Sequence, residues 1–191
     1  MRILDEQEKL VVKELIRDPR ISDNQISINT KVPLKTVNRK RKLLEKENLL
    51  FYFAYLNNWK DGTASFNARG TYILVFKEGI TKKHFLDTVF KTQSQFSFHK
   101  HILNSYLGES NGGLALILVI ESRENEDLLD IFNTGVVSNI KRLFGENAIK
   151  ETFTFNTTNL LNILHNYVPY VNMLEGKIKK EWPDNLIFVN D

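Results

Sequence analysis

The sequence predicts an α+β protein in two parts: a winged helix-turn-helix of three helices, then a ferredoxin-like β-α-β-β-α-β domain. Three observations carry this expectation. Apolar residues of helical period run through the first fifty positions and end on a densely basic third segment. Strand-like and helix-like stretches then follow in the β-α-β-β-α-β order. The cationic excess is confined to the first part. Residues 1–50 hold twelve Lys/Arg against eight Asp/Glu, and residues 51–191 hold fourteen against fifteen. A basic head on a near-neutral body suits a nucleic-acid partner.

At 191 residues the chain is long for one compact domain and comfortable for two small ones. The absence of cysteine excludes disulfides, thiolate metal sites and cysteine nucleophiles. No apolar run reaches the roughly 18 residues of a membrane span. The opening MRILDEQEKL lacks a signal-peptide pattern, so a cytoplasmic protein without membrane association is expected.

Leu4, Leu10, Val11, Val12, Leu15 and Ile16 form a helical stripe over about residues 5 to 17, and the acidic Asp5, Glu6 and Glu8 suit the start of its dipole. Pro19 ends it. Ser22 and Gln25 form a predicted capping box for a short second helix, about 23–29, that offers Ile26 and Ile28 to the core. Thr30-Lys31-Val32-Pro33 is a turn, and Asn48, tolerant of the left-handed conformation, closes the third helix. LLFYFAYL, 49–56, is expected as a wing or connecting strand.

The third helix carries the chemistry. On a helical wheel Leu34, Val37, Leu44 and the stem of Arg41 fall on one side, and Lys35, Asn38, Arg39, Lys42 and Lys46 on the other. Alone, such a stretch reads most simply as a solvated basic helix. After two short helices and a tight turn it reads as the recognition helix of a helix-turn-helix. Lys35, Thr36, Asn38, Arg39 and Lys42 are then the candidates for base edges, since Arg pairs bidentately with guanine and Asn with adenine. Arg20, Lys31, Lys40 and Lys46 flank them as candidate phosphate contacts.

The register Leu4-Asp5, Glu14-Leu15, Asp18-x-Arg20-Ile21-Ser22, Thr36-Val37-x-Arg39 and Leu44-Glu45, ungapped from Leu4 to Leu50, resembles the N-terminal domain of the Lrp/AsnC ("feast/famine") transcriptional regulators. Three positions depart from it. Lys31 stands where the family usually has Gly, Pro33-Leu34 replaces Ser-Pro at the start of the third helix, and Arg41 replaces an aliphatic residue. The resemblance implies transcription regulation by binding double-stranded DNA.

In the body, 57–70 is expected as a linker and 71–157 as the ferredoxin-like domain, with 1–56 forming the DNA-binding part. Thr71–Phe76, Phe96–Tyr106, Gly113–Glu121 and Lys150–Asn156 are the predicted strands; Thr81–Lys91 and Glu124–Phe144 are the predicted helices, the latter stopped by Gly145. With both helices on one face, the other sheet face needs a partner, and a second copy of the chain is the simplest one. The resemblance implies the same: a homodimer or a higher assembly of dimers, with a small effector such as an amino acid near a Gly-containing turn. Ser110, Asn111, Gly112 and Gly113 stand in that place, and the plainer reading is a hairpin turn chosen for its glycines.

Residues 158–191 are expected as a helical extension, with Leu160, Leu161, Leu164, Tyr167, Val168, Val171 and Leu174 at helical spacing and Pro169 kinking it. It either lines another dimer surface or packs back on the sheet, and packing is the simpler role. His99 and His101 alternate on a predicted strand, but no carboxylate lies nearby in sequence, and His84 and His165 join them only through the fold. No cofactor, metal site or phosphate loop is expected. Two other readings stand beside the regulator: an enzyme of the same architecture resembling sirohaem decarboxylases, and an architectural DNA-coating protein without an effector.

Overall fold

The computed structural model describes residues 2–58, 62–63, 65–91, 99–159 and 161–189. They divide into two compact units, Met1–Tyr55 with Leu160–Asp191, and Leu56–Asn159. The second unit is therefore inserted between the two ends of the first.

The first unit opens with α1 (Glu6–Arg17), α2 (Asp23–Thr30) and α3 (Leu34–Lys46). Asp5 caps α1: its carboxylate accepts from the Glu8 amide at 2.9 Å while Glu8 accepts from the Asp5 amide at 3.0 Å. Ser22 caps α2 by accepting from the Gln25 amide. The Gln25 side chain does not reach back as a capping box requires; it donates to Asn29 one turn on, at 2.8 Å. Val11, Leu15, Ile26, Val32 and Val37 close the small core, against which Ile21 and Leu50 pack. Ile28 and Leu34, both expected inside, are 63% and 46% exposed, so this core is narrower than the apolar pattern suggested. The expected wing strand is absent: 49–56 forms no ladder, and all but Leu50 are exposed.

The C-terminal segment belongs to this unit rather than to the sheet. Among the described residues of this segment only Pro169–Asn172 is α-helical, so the long amphipathic helix does not form. Pro169 sits at its start, where its missing N–H is harmless, and Leu161, Leu164, Val171 and Leu174 point to solvent. The ladder of β5 (Met173–Leu174) and β6 (Lys177–Ile178) turns through Glu175-Gly176, both at positive φ. Buried Asn172 holds the segment's shape, accepting from the Val168 amide and donating to the Asn166 carbonyl. Ion pairs then tie it to α1: Asp184 with Lys13 and Arg17, and Lys177 with Asp18. The Tyr167 hydroxyl donates to the Ile16 carbonyl at 3.0 Å.

The second unit is a four-stranded antiparallel sheet in the order β2-β3-β1-β4, built from β1 (Ala68–Phe76), β2 (Ile102–Ser110), β3 (Gly113–Ser122) and β4 (Ile149–Asn156). α4 (Lys82–Lys91) follows β1. After β3 comes one continuous helix: α5 (Asn125–Asp130), π-helical turns over Ile131–Val137, and α6 (Ser138–Phe144). This is the expected β-α-β-β-α-β arrangement. β1 begins at Ala68, inside the segment expected as linker. Of the strand expected over 96–106, residues 96–98 lie outside the described residues, and β2 starts only at Ile102 after a 3₁₀ turn, His99–His101.

The pleat sorts the two faces. Tyr72, Leu74, Phe76, Leu116, Leu118 and Ile120 face the helices and meet Phe85, Leu128, Phe132, Val136 and Ile140. The alternate residues make the opposite face, where Ile73 pairs Ile117 and Phe153, and Tyr106, Phe153 and Phe155 are exposed. At one end of that face Arg69 and its cross-strand partner Glu121 form a buried ion pair, Nε donating at 3.0 Å.

Candidate nucleic-acid interface

α2 and α3 meet at Lys31, which adopts the left-handed conformation at φ 59° and ends α2. A non-glycine residue there costs on the order of 1 kcal/mol. The turn is tightened by side chains: Thr30 donates to the Ile26 carbonyl, and Ser27 to the Val32 carbonyl at 2.7 Å. α3 then starts at Leu34 without a side-chain cap, because Pro33 occupies the cap position and offers none. Val37 and Leu44 anchor α3 in the unit.

The anchoring leaves one face outward. Lys35, Asn38, Arg39, Lys42 and Lys46 are exposed along it, and Thr36 is half-buried in the first turn. Among the described residues no ion pair involves Lys35, Arg39, Lys42 or Lys46. Lys31 and Arg20 are exposed as well. A row of unneutralised cations with an amide among them can meet phosphate oxygens and base edges together.

Lys40 is the exception. It was expected at the surface with the phosphate contacts, but it is buried and its ammonium meets the Asp5 carboxylate, with Glu8 3.9 Å away. The physical reason lies in α1. Asp5 and Glu8 cap that helix, Glu8 is fully inside, and their paired negative charge needs a buried cation. Arg2 supplies a second one, 2.6 Å from Glu8. The Lys40 hydrogen bond, helped by the Glu8 amide, holds the Asp5 carboxyl below its ordinary value.

Sequence reasoning also missed a group beside the outer face. Arg41 lies half inside, as expected, but it brings its own carboxylates. Its guanidinium donates to Asp23 at 3.0 Å, to Glu45 at 3.2 Å and to the Tyr52 hydroxyl at 2.9 Å, with the Tyr52 ring 5.3 Å away. Burial alone would lower the Arg41 pKa, yet the hydrogen bond to Asp23 and the contacts with Tyr52 and Glu45 raise it. Burial and the hydrogen bond to Glu45 push the Tyr52 phenol up. The other Asp23 oxygen accepts from the Asn38 side-chain amide at 2.8 Å. An Arg among inner-face aliphatics was the available signal, since it demands a carboxylate across the helix contact.

The residues expected at an effector form the tip of the β2–β3 hairpin. Ser110 pairs with Gly113, and Asn111 and Gly112 turn the chain at φ 48° and 78°. This is a two-residue turn with both central residues left-handed, for which Asn-Gly is the favoured pair. A side chain on Gly113 would press on the Phe76 and Ser110 carbonyls at 3.4 Å. A polar cleft lies elsewhere, at the other end of β1, lined by Asn67, Arg69, Asn125, Asn156 and Thr157. His101 is in the 3₁₀ turn rather than on a strand, and its ring Nδ1 meets the Glu121 carbonyl at 2.9 Å. Among the described residues no group of three His, Asp or Glu is arranged to hold a metal ion. Among the described residues no helix is long and apolar enough to cross a membrane.

A three-helix unit with an outward basic third helix, joined to a sheet of order β2-β3-β1-β4, defines the fold class of the Lrp/AsnC regulators. Solved structures bear this out over most of the chain. An AsnC-family transcriptional regulatory protein of Pyrococcus furiosus superposes with a TM-score of 0.60 at 14% identity, covering 90% of this chain and all of that one. Escherichia coli AsnC gives 0.58 at 12%, covering 83% and 95%. A Neisseria meningitidis transcriptional regulator solved with L-Met gives 0.58 at 14%, covering 90% and 100%. At such identities the likeness is one of fold. No protein-family model matches the sequence, and no curated protein matches it either.

Proposed function

We propose that this chain regulates transcription by binding duplex DNA through α3, as a homodimer or an assembly of dimers. The observation that carries the proposal is the outward stripe of Lys35, Asn38, Arg39, Lys42 and Lys46 on a helix anchored by Val37 and Leu44. Docked in a major groove, the start of that stripe reads bases and its end, with Lys31 and Arg20, holds phosphates. The fold of transcriptional regulators over most of the chain supports the same reading.

Self-association is supported by the open sheet face, where Tyr106, Phe153 and Phe155 expose apolar rings next to Ile73 and Ile117. A face of this kind calls for a cover, and a copy of itself matches it by symmetry. We further propose that a small effector such as an amino acid acts at the Ser110–Gly113 turn; the structurally similar Neisseria regulator was solved as a complex with L-Met.

The test is affinity for promoter fragments and scrambled duplexes at several salt concentrations, with sedimentation of the free protein. The expected result is a preferred duplex bound about 10³-fold or more above scrambled DNA by a dimeric protein. Equal affinity for all sequences with a steep salt slope would instead make it an architectural coating protein. Failure to bind any duplex would overturn the regulator reading.

A further inference from the structure

Asp23 is an odd residue to find beside a DNA-facing stripe. Its carboxylate is half-buried at the start of α2, and one oxygen reaches the side-chain amide of Asn38, an outer-face residue of α3. An acidic group so placed repels phosphates, so a binding surface gains nothing from its charge. Its geometry suggests another use. Arg41 grips the other oxygen at 3.0 Å and donates also to the Ile21 carbonyl, next to the α2 cap. Glu45 and Tyr52 hold the Arg41 Nε from the far side. The carboxylate is therefore fixed by a guanidinium that is itself fixed.

We infer that Asp23 is a positioning residue that sets the polarity of the Asn38 amide and thereby its base preference. A carboxylate can only accept, so the Asn38 group facing it must be the NH₂ and not the carbonyl oxygen. Turning the amide over would set two oxygens against each other. With one N–H given to Asp23, Asn38 presents its Oδ1 and its remaining N–H. That pair matches the amino donor and N7 acceptor of adenine, and Oδ1 alone matches the amino donor of cytosine. Guanine and thymine offer no amino group in the major groove, so an outward Oδ1 disfavours them. Once docking excludes water, the Asp23 contact strengthens and the choice sharpens. Arg41 keeps the carboxylate neutralised against the DNA, which gives a use to this Arg at a position where an aliphatic residue would serve the core equally.

This inference rests on the DNA-binding reading, and the experiment separates the two. Wild-type protein, Asp23→Asn, Asn38→Ala and the double variant select from a randomised duplex pool at fixed salt, with folding checked by circular dichroism. Wild type should favour an amino-bearing base at one position of its site by about tenfold. Asp23→Asn, whose amide can offer Asn38 either an oxygen or an NH₂, should lose most of that preference and bind scrambled DNA as well as wild type or better. Asn38→Ala should flatten the same position, and the double variant should lose no more than either alone, because the two residues act as one unit. An unchanged base profile in Asp23→Asn, or a uniform weakening on all sequences, overturns the inference and leaves Asp23 a partner of Arg41 only. If Asp23→Asn unfolds, Arg41→Lys is the second variant, since it keeps the charge but not the forked grip. It should weaken the same preference, and a full preference there would overturn the inference too. Wild type that binds no duplex at all removes the DNA-binding reading itself.

Discussion

Two stretches of the first unit use their cations in opposite ways. On α3, Lys35, Arg39, Lys42 and Lys46 stand outward without ion pairs among the described residues. Where α1 meets the C-terminal segment, Lys13, Arg17 and Lys177 are taken up by Asp184 and Asp18. Burial would raise the carboxyls of Asp18 and Asp184, but the Lys177 and Arg17 partners outweigh it and hold both below their ordinary values. The same residue type is thus left exposed without an ion pair in one place and is a fastener in the other. What separates them is whether the fold sets a carboxylate opposite.

The sharpest way to break that comparison is Lys40, which lies on α3 but behaves as a fastener. Lys40→Ala should destabilise the protein by about 2–4 kcal/mol in chemical denaturation, because Glu8 loses a buried counter-charge. The salt slope of DNA binding should stay that of wild type. An unchanged midpoint with a flattened slope would put Lys40 back among the phosphate contacts.

Arg39→Ala should do the reverse. We expect stability within about 0.5 kcal/mol of wild type and a loss of about 1–3 kcal/mol on the preferred duplex, with relaxed specificity. Lys46→Ala should weaken every duplex alike and flatten the salt slope by roughly one unit.

Lys31 mixes the two roles. Replacing it by Gly relieves the left-handed strain and should raise stability by about 0.5–1 kcal/mol, read as a shift in melting temperature. The same change should cost some DNA affinity if Lys31 meets a phosphate. Improved stability with no change in binding would restrict Lys31 to the turn.

The smallest effect concerns Asp184, whose pairs are largely exposed. Asp184→Asn should cost at most about 1 kcal/mol. Its lowered pKa sets the sign: the contribution is present above the ordinary carboxyl value near pH 4 and is lost as pH falls through the lower folded value. The hydrogen-exchange protection factors of α1 should therefore fall below about pH 4 in wild type, and less steeply in the variant.

Much of the frame was legible because it is written locally. The stripe of Val11 and Leu15, the Ser22 cap, the stop at Gly145 and the apolar run of β3 depend on neighbours within a turn or a strand. The extension misled because helical spacing is only a permission. The chain leaves Leu161, Leu164 and Leu174 exposed and instead buries Ile178, Ile187 and Val189. LLFYFAYL misled for a related reason, since a strand needs a partner edge and it pairs with none among the described residues.

The sequence by itself determined the order of the three N-terminal helices and of the β-α-β-β-α-β elements, the basic third helix and the sheet with one open face. Periodicity and capping act over a few residues, and these features need nothing more. Tertiary structure alone decided which basic residues remain available. Lys40 sits three residues after Val37 and four before Leu44, on the inner stripe as much as Arg41 does, and the charge pattern concealed it. Its burial needs Asp5 and Glu8, more than thirty positions away. The Asp23 contact with Asn38 likewise spans fifteen positions and two helices. Charges find partners through space, where a carboxylate brought close outweighs anything its sequence neighbours dictate.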